Sequence, residues 1–354
     1  MLEDKQPALT PLEKLGEFGL IKHLTKNFPL ENPSSVLGVG DDAAVVDFAE
    51  EKTVISTDLL AEGVHFNLGY VPLKHLGYKA VIINLSDLAA MNATPTQILV
   101  SMALSNRFPV EAVEGIYTGI SLACKKYAVD LVGGDTTSSQ SGLILSITAI
   151  GKAREEDLVR RSGARENDLL VVTGDLGAAY MGLRILEREH ALYLTNPKIQ
   201  PEMEGYDYIL ERQLKPEARK DIKKKLKDLG VHPTSMIDIS DGLSSEILHL
   251  SDNSRIGFRL YEEKIPMDEL TLLTAEEFCL NPTLAALSGG EDYELLFTIP
   301  PKDYDKIKNH PDFTVIGHAV SKSMGNKMIA RGCHEEINLT AQGWDAFLRR
   351  WPGT

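Results

Sequence analysis

Nine carboxylates lie in six short motifs between Gly38 and Asp292, and any fold that gathers them must answer for their charge. The motifs are Gly38-Val-Gly-Asp-Asp-Ala43, Ser56-Thr-Asp58, Asn84-Leu-Ser-Asp87, Gly133-Gly-Asp-Thr-Thr137, Asp238-Ile-Ser-Asp-Gly242 and Ser288-Gly-Gly-Glu-Asp292. Five of them follow or interrupt an apolar run, which places each near a strand end or a helix start. Carboxylates that converge repel one another unless cations sit between them. Hard oxygen donors of this kind suit Mg²⁺, which takes one or two carboxylates and completes its shell with water and substrate phosphates. The pattern predicts a phosphate-transfer enzyme that uses several Mg²⁺ ions.

At 354 residues the chain is long for a single core and fits two domains. Its formal net charge of −14 argues against a nucleic-acid surface. The basic stretch Lys220–Lys227 reads as a solvated helix face. Three cysteines, Cys124, Cys279 and Cys333, are far apart and form no metal-binding spacing, which suits a reducing compartment. Residues 1–18 lack the apolar core of a signal peptide, and no window approaches 18 consecutive apolar residues. The expectation is a soluble cytoplasmic protein with no membrane partner.

Apolar spacing predicts helices over 11–28, 74–91, 109–127, 218–229 and 243–250, and another that follows Gly174-Asp-Leu-Gly177 and runs to about Arg188. Strands are expected at 53–58, 97–104, 129–132, 143–150, 169–173, 236–239, 257–261, 295–299 and 314–318. A charged segment without apolar period, 151–165, marks a domain boundary. Residues 189–216, with three prolines, read as a loop or short helical insertion. The order is mixed α+β and not strictly alternating.

The chain holds no P-loop, no Gly-x-Gly-x-x-Gly after a strand and no protein-kinase signature set. Gly133-Gly134-Asp135 offers another cradle: two glycines that let backbone approach phosphate, beside a metal-binding carboxylate. Alone it also suits a simple turn. Asp238 and Asp241 equally suit a helix cap and its neighbour, and Gly289-Gly290-Glu291 a loop feeding a strand.

The ordered set GVGDDAAV, STDLLAEGVHF, YKAVIINLSDLAAMNATP, GGDTT, RSGA, DISDGLSSE and SGGEDYELLF resembles the thiamine-monophosphate kinases, of the aminoimidazole-ribonucleotide synthetase-like superfamily, over residues 14–347. The resemblance implies an α+β fold of two mixed α/β domains, each a sheet with helices on one face. Residues 1–152 would form an ATP- and Mg²⁺-binding domain whose sheet edges pair into a homodimer. Residues 153–354 would close over the active site. It further implies transfer of the ATP γ-phosphoryl group directly onto the phosphate of thiamine monophosphate, with several Mg²⁺ ions and no general base. Asp42, Ser56, Thr57, Asp58, Asp87, Asp135, Asp238 and Asp241 match the metal shell, and Asp58, Asp87 and Asp135 are its catalytic core. Asp41 would lie just outside it. Tyr117, Gly134, Asp135, Arg161 and Ser240 match ATP contacts; His65, Glu291 and Trp344 match contacts to thiamine monophosphate. For His65 a structural role, and for Trp344 a place in the core, are the plainer alternatives.

Other ATP-using members of the superfamily, of the aminoimidazole-ribonucleotide or selenophosphate synthetase type, are the nearest competing readings. The latter type usually carries a cysteine near its N-terminus, and none precedes Cys124. A non-transferring maturation factor with a C-terminal cysteine tail fits less well, because the chain ends Trp351-Pro-Gly-Thr354. A purely metal-binding protein would not need Arg161 or the Gly-Gly cradle.

Overall fold

Apolar runs of period 2 and period 3.6 assemble here into two compact units, Met1–Leu88 with Asn92–Leu158, and Ala89–Met91 with Val159–Thr354. The structure, a computed structural model, describes residues 10, 20, 23–37, 45–332 and 335–340. Asp41, Asp42, Trp344 and most of the helix expected over 11–28 lie outside the described residues; 23–25 are helical.

In the first unit β1 (Ser35–Leu37) and β2 (Val45–Val46) pair antiparallel. The larger sheet contains β3 (Lys52–Ala61), β4 (Thr94–Leu104), β5 (Asp130–Ser138) and β6 (Ile144–Ala153), in the order β3-β6-β4-β5. Only β4 and β5 run parallel, and the helix Val110–Tyr127 makes the crossover between them. That helix turns Val113, Ile116, Ile120 and Ala123 inward at helical spacing. The helix Leu73–Ala90 is buried almost all round from Leu76 onward, with Asp87 the half-buried exception. The two helices touch backbone to backbone. A Cβ on Gly77 would sit 2.0 Å from the Ile116 carbonyl oxygen, and one on Gly119 1.9 Å from that of Lys74.

The strand expected at 129–132 runs on to Ser138 and carries Gly133-Gly134-Asp135 inside the sheet. The reason is pairing: β4 offers β5 a partner along its length, from Gln97 opposite Asp130 to Leu104 opposite Ser138, with a register shift after Ile98. Sequence pattern sees the glycines as punctuation, whereas the neighbouring strand treats them as ladder residues.

The second unit has a seven-stranded sheet. Its strands are β7 (Leu169–Thr173), β8 (Ser235–Asp238), β9 (Gly257–Tyr261), β10 (Leu295–Ile299), β11 (Phe313–Val320), β12 (Lys327–Ile329) and β13 (Glu336–Asn338), in the order β13-β12-β9-β11-β7-β10-β8. Every neighbour is antiparallel except β12 with β9. Alternate residues of β7 feed opposite faces. Leu170 and Val172 join Leu243, Ile247 and Leu250 of the helix Leu243–Ser254. Val171 joins Ile222 and Leu226 of the helix Asp221–Asp228. Two unforeseen short helices, Glu269–Glu277 and Pro282–Ser288, begin on side-chain caps from Asp268 and Asn281. Both units are therefore mixed α/β, sheet with helices. No described helix is long and apolar enough to cross a membrane.

A charged network lies inside the second unit. Glu294 is 3% exposed and accepts from Arg212 Nη1 at 3.0 Å, Arg219 Nη1 at 2.6 Å and Thr173 Oγ1 at 2.5 Å. Arg219 also reaches Asp312 at 2.8 Å, and Lys225 reaches it at 2.6 Å. Asp292 accepts from the Gly177 amide at 2.9 Å through Oδ2, while Oδ1 has no hydrogen-bond partner. Burial pushes the Asp292 carboxyl up to about 7, against the pull of Arg212 and the Gly177 amide.

Because that value lies above the ordinary 3.8, folding takes up a proton between about pH 4 and pH 7. The stability Asp292 contributes is present at low pH and is lost as pH rises through this window. Replacing it, Asp292→Asn, should flatten the fall in Tm between pH 5 and pH 8 seen by calorimetry. A fall of unchanged size would mean that Asp292 is already ionised at pH 5.

Candidate active site

Strand alternation decides where the carboxylates of the first unit point. Ser56 and Asp58 pair with Ala149 and Ile147 of β6, both buried, so they share the helix-covered face and are half-buried. There Ser56 Oγ donates a hydrogen bond to the Asp87 carboxylate from the helix Leu73–Ala90. Thr57 points the other way, with Oγ1 2.9 Å from Thr148 Oγ1 and 3.2 Å from the Ile147 carbonyl. The Asp58 carbonyl accepts from Ser146 Oγ at 2.9 Å.

Asp135 is not brought to this group within one chain. Leu59, Ser146, Ser101 and Asp135 form one row across the sheet; Asp58, Ile147, Val100 and Gly134 form the next. Asp58 and Asp135 thus sit on opposite edge strands and opposite faces, about 14 Å apart across three strand spacings. Gly134, at φ +155°, leaves no room for a side chain: a Cβ would fall 1.8 Å from the Val100 carbonyl oxygen. This close strand approach is reason enough for the glycine. Tyr117 is 7% exposed and meets Phe28 edge-on at 6.1 Å, with burial pushing its phenol up to about 12. His65, exposed in the turn after β3, accepts the Ala61 amide at Nδ1. The neutral ring then carries its proton on Nε2.

In the second unit Asp238 ends β8, buried, and Ser240-Asp241-Gly242 turns into the helix Leu243–Ser254. The Gly290–Tyr293 loop packs on that turn. Ser240 accepts the Glu291 amide at 2.7 Å, and a Cβ on Gly290 would meet the Ser240 carbonyl oxygen at 2.5 Å. Glu291, Asp241 and Ser240 are half-buried. Arg161 is exposed, its carbonyl accepting from Ser254 Oγ at 3.2 Å.

Sequence reasoning passed over Glu246. Its carboxylate accepts the Asp241 amide at 2.9 Å, and burial pushes it up to about 8, with the charges of Asp241 and Asp238 acting the same way. The signal was present: an acidic residue one turn into the helix after Asp-Gly, reaching back to a backbone amide.

The candidate ligands divide between the units: Ser56, Thr57, Asp58, Asp87 and Asp135 in the first, Asp238 and Asp241 in the second. Among the described residues no three His, Cys, Asp or Glu side chains are grouped to hold a metal. Oxygen is the donor throughout, with a hydroxyl and carboxylate already in contact at Ser56 and Asp87. Such donors fit Mg²⁺, which needs few protein ligands and keeps places for water and phosphate.

The family model for the N-terminal domain of AIR synthase related protein matches residues 40–153. A thiamine-monophosphate kinase of Aquifex aeolicus is 35% identical over 307 residues, 86% of this chain and 92% of that protein. That of Bacillus subtilis is 30% identical over 341 residues, 94% of this chain and 100% of its own. The solved structure of AaThiL complexed with AMPPCP and TMP is 32% identical, covering 94% of this chain and 97% of that one, with a TM-score of 0.71. Hydrogenase maturation protein HypE in complex with ATP covers 91% and 94% with a TM-score of 0.70, but at 17% identity the likeness is one of fold alone. Kinases so similar along nearly their whole length place the chain in the thiamine-monophosphate kinase family.

Proposed function

We propose that this protein transfers the γ-phosphoryl group of ATP directly onto the phosphate of thiamine monophosphate, giving thiamine diphosphate and ADP. The observation that carries the reading is the likeness, along 94% of the chain, to AaThiL complexed with AMPPCP and TMP. The motif carboxylates support it. An anionic phosphate oxygen attacks another anion, so positioning and charge neutralisation matter more than covalent help. The acceptor is already a nucleophile and needs no general base.

Asp42, Ser56, Thr57, Asp58, Asp87, Asp135, Asp238 and Asp241 would hold several Mg²⁺ ions. Bound there, the metal would neutralise developing charge on the phosphates. Ser56 fixes the Asp87 carboxylate by its hydrogen bond and so limits how that ligand turns. Gly134, Asp135, Arg161 and Ser240 would contact ATP, Arg161 offering planar donors to phosphate oxygens. The buried Tyr117 sits less well with a direct nucleotide contact. His65, Glu291 and Trp344 would hold thiamine monophosphate, Trp344 by stacking on its cationic ring.

A homodimer is part of the reading. β3 and β5 are the edges of the four-stranded sheet, and Ile55 and Leu59 stand 63% and 54% exposed on its open face. Pairing β3 of one copy with β5 of the other at both edges would turn the two open faces toward each other, cover Ile55 and Leu59, and set the strand of Asp135 beside the strand that carries Asp58. The free thiols of Cys124 and Cys279 accord with a cytoplasmic location.

The reaction is tested by supplying ATP and Mg²⁺ with either thiamine monophosphate or thiamine and separating the products. Thiamine monophosphate should yield thiamine diphosphate and ADP, and thiamine should react very poorly, since its neutral hydroxyl lacks charge and would need a base. Efficient phosphorylation of thiamine, or ADP release only with the other superfamily substrates, would overturn the assignment.

Asp87→Asn should lower kcat at least about 100-fold, with Tm changed by only a few degrees, because the lost charge acts on the phosphates. Near-normal turnover would remove Asp87 from the metal set. For the dimer, Leu59→Glu should shift the light-scattering mass from two chains to one. A wild-type protein that is monomeric at micromolar concentration would dismiss the paired edges.

A further inference from the structure

The 189–216 segment has no role in the motifs, yet its helix Asp207–Leu214 reaches the Glu291 loop. The approach is close. Gly182 of the helix Ala178–Thr195 lies so near that a Cβ there would meet the Ile209 carbonyl oxygen at 2.1 Å and Gln213 Cβ at 3.0 Å. Gln213 is thereby held at 5% exposure, and its Nε2 donates to Glu291 Oε2 at 2.9 Å. Arg212 beside it donates to the Asp292 carbonyl at 3.2 Å, the Asp175 carbonyl at 3.1 Å and the Glu294 carboxylate at 3.0 Å. Two consecutive side chains of one helix grip residues 291, 292 and 294.

What they grip is strained. Gly290, Glu291 and Tyr293 have φ of +69°, +59° and +53°, so two residues with side chains occupy the left-handed region within three positions. Amide hydrogen bonds from Glu291 to Ser240 and from Tyr293 to Ile239 tie the loop down on one side. The helix Asp207–Leu214 holds it on the other. Backbone strain of this kind persists where surroundings over-determine it, and it concentrates where a side chain must be aimed.

We propose that Gln213 is a positioning residue that fixes the Glu291 carboxylate for the thiamine part of the acceptor, while Arg212 holds the loop backbone beneath it. The proposal rests on the assignment of Glu291 to acceptor binding. A pinned oxygen lets the carboxylate meet the cationic, amine-bearing acceptor without first being ordered.

The test is a double-mutant cycle with steady-state kinetics, Tm being checked for each variant. Gln213→Met keeps the volume and removes the donor. It should raise KM for thiamine monophosphate about tenfold, a hydrogen bond to a charged group being lost, and leave kcat and KM for ATP within about twofold. Glu291→Ala should raise the same KM, and adding Gln213→Met to it should do nothing more. Gln213→Glu, of nearly the same shape, sets a carboxylate against Glu291 and should raise that KM further; it stands in if the methionine variant does not fold. An unchanged KM in the Gln213 variants, or an equal extra rise in the Glu291→Ala background, overturns the positioning role and leaves the acceptor assignment standing. An unchanged KM in Glu291→Ala removes that assignment and the positioning role with it.

Discussion

Glu294 gathers two guanidinium groups and a threonine hydroxyl on one buried carboxylate, and the candidate site of the second unit is built outward from that contact. The groups come from β7, from the helix Asp207–Leu214 and from the segment before the helix Asp221–Asp228. Its own backbone oxygen accepts the Ile239 amide, which sets the start of the Ser240-Asp241 turn. A buried ion pair adds little net stability over apolar packing, but removing one partner leaves an uncompensated charge. The network therefore acts as a specification: β10, the Glu291 loop and the turn after β8 are positioned together or not at all.

The first unit solves the placing of carboxylates differently. Ser56, Thr57, Asp58 and Asp135 sit on ladder positions, where alternation fixes the face and register fixes the row. A one-residue slip of β3 would move Asp58 to the Ile55 and Leu59 face. The register is protected by ten consecutive partners along β6 and by burial of alternate β6 residues. Charge at Asp58 and Asp135 is thus held by sheet geometry, whereas at Asp241 and Glu291 it is held by loop packing and hydrogen bonds.

Much of this was legible in the amino-acid sequence, for different reasons at different places. Leu169–Thr173, Gly257–Tyr261 and Leu295–Ile299 are apolar runs bounded by breakers, and the strands coincide with them. The helix Leu73–Ala90 was legible from the spacing of Leu76, Ala80, Ile83 and Ala90, although the folded helix is buried nearly all round from Leu76 onward. Gly133-Gly134-Asp135 was misleading as a local signal because strand pairing, a long-range term, overrides the turn preference of glycine. Gln213 and Arg212 were illegible. Their partners lie 37 to 82 residues away, and a glutamine and an arginine in a proline-flanked segment look like surface. The site motifs stood out only jointly, since each alone has an ordinary reading as a cap, a turn or a loop.

A fold of this kind is shared with a hydrogenase maturation protein at an identity too low to carry function, so the sheets themselves do not choose the chemistry. Choice must lie in groups that the sheets merely carry. On the acceptor side of the proposed reaction these would be His65, in a turn where its Nδ1 accepts the Ala61 amide, and Glu291, on a strained loop. Neither is a ladder residue, and each is fixed by one or two specific hydrogen bonds that substitution can remove without touching a core. That separation has a physical consequence. With Asp58 in the proposed metal set, a change at that ladder carboxylate would alter the charge at the phosphates, and with it the transition state that any phosphate acceptor shares. With Glu291 in the proposed acceptor set, a change at it or its support would alter which acceptor is held, and so would belong to KM and to discrimination between acceptors. On that proposal phosphoryl transfer and acceptor choice would rest on two kinds of local structure, sheet register with one helix residue for the first and a braced loop for the second.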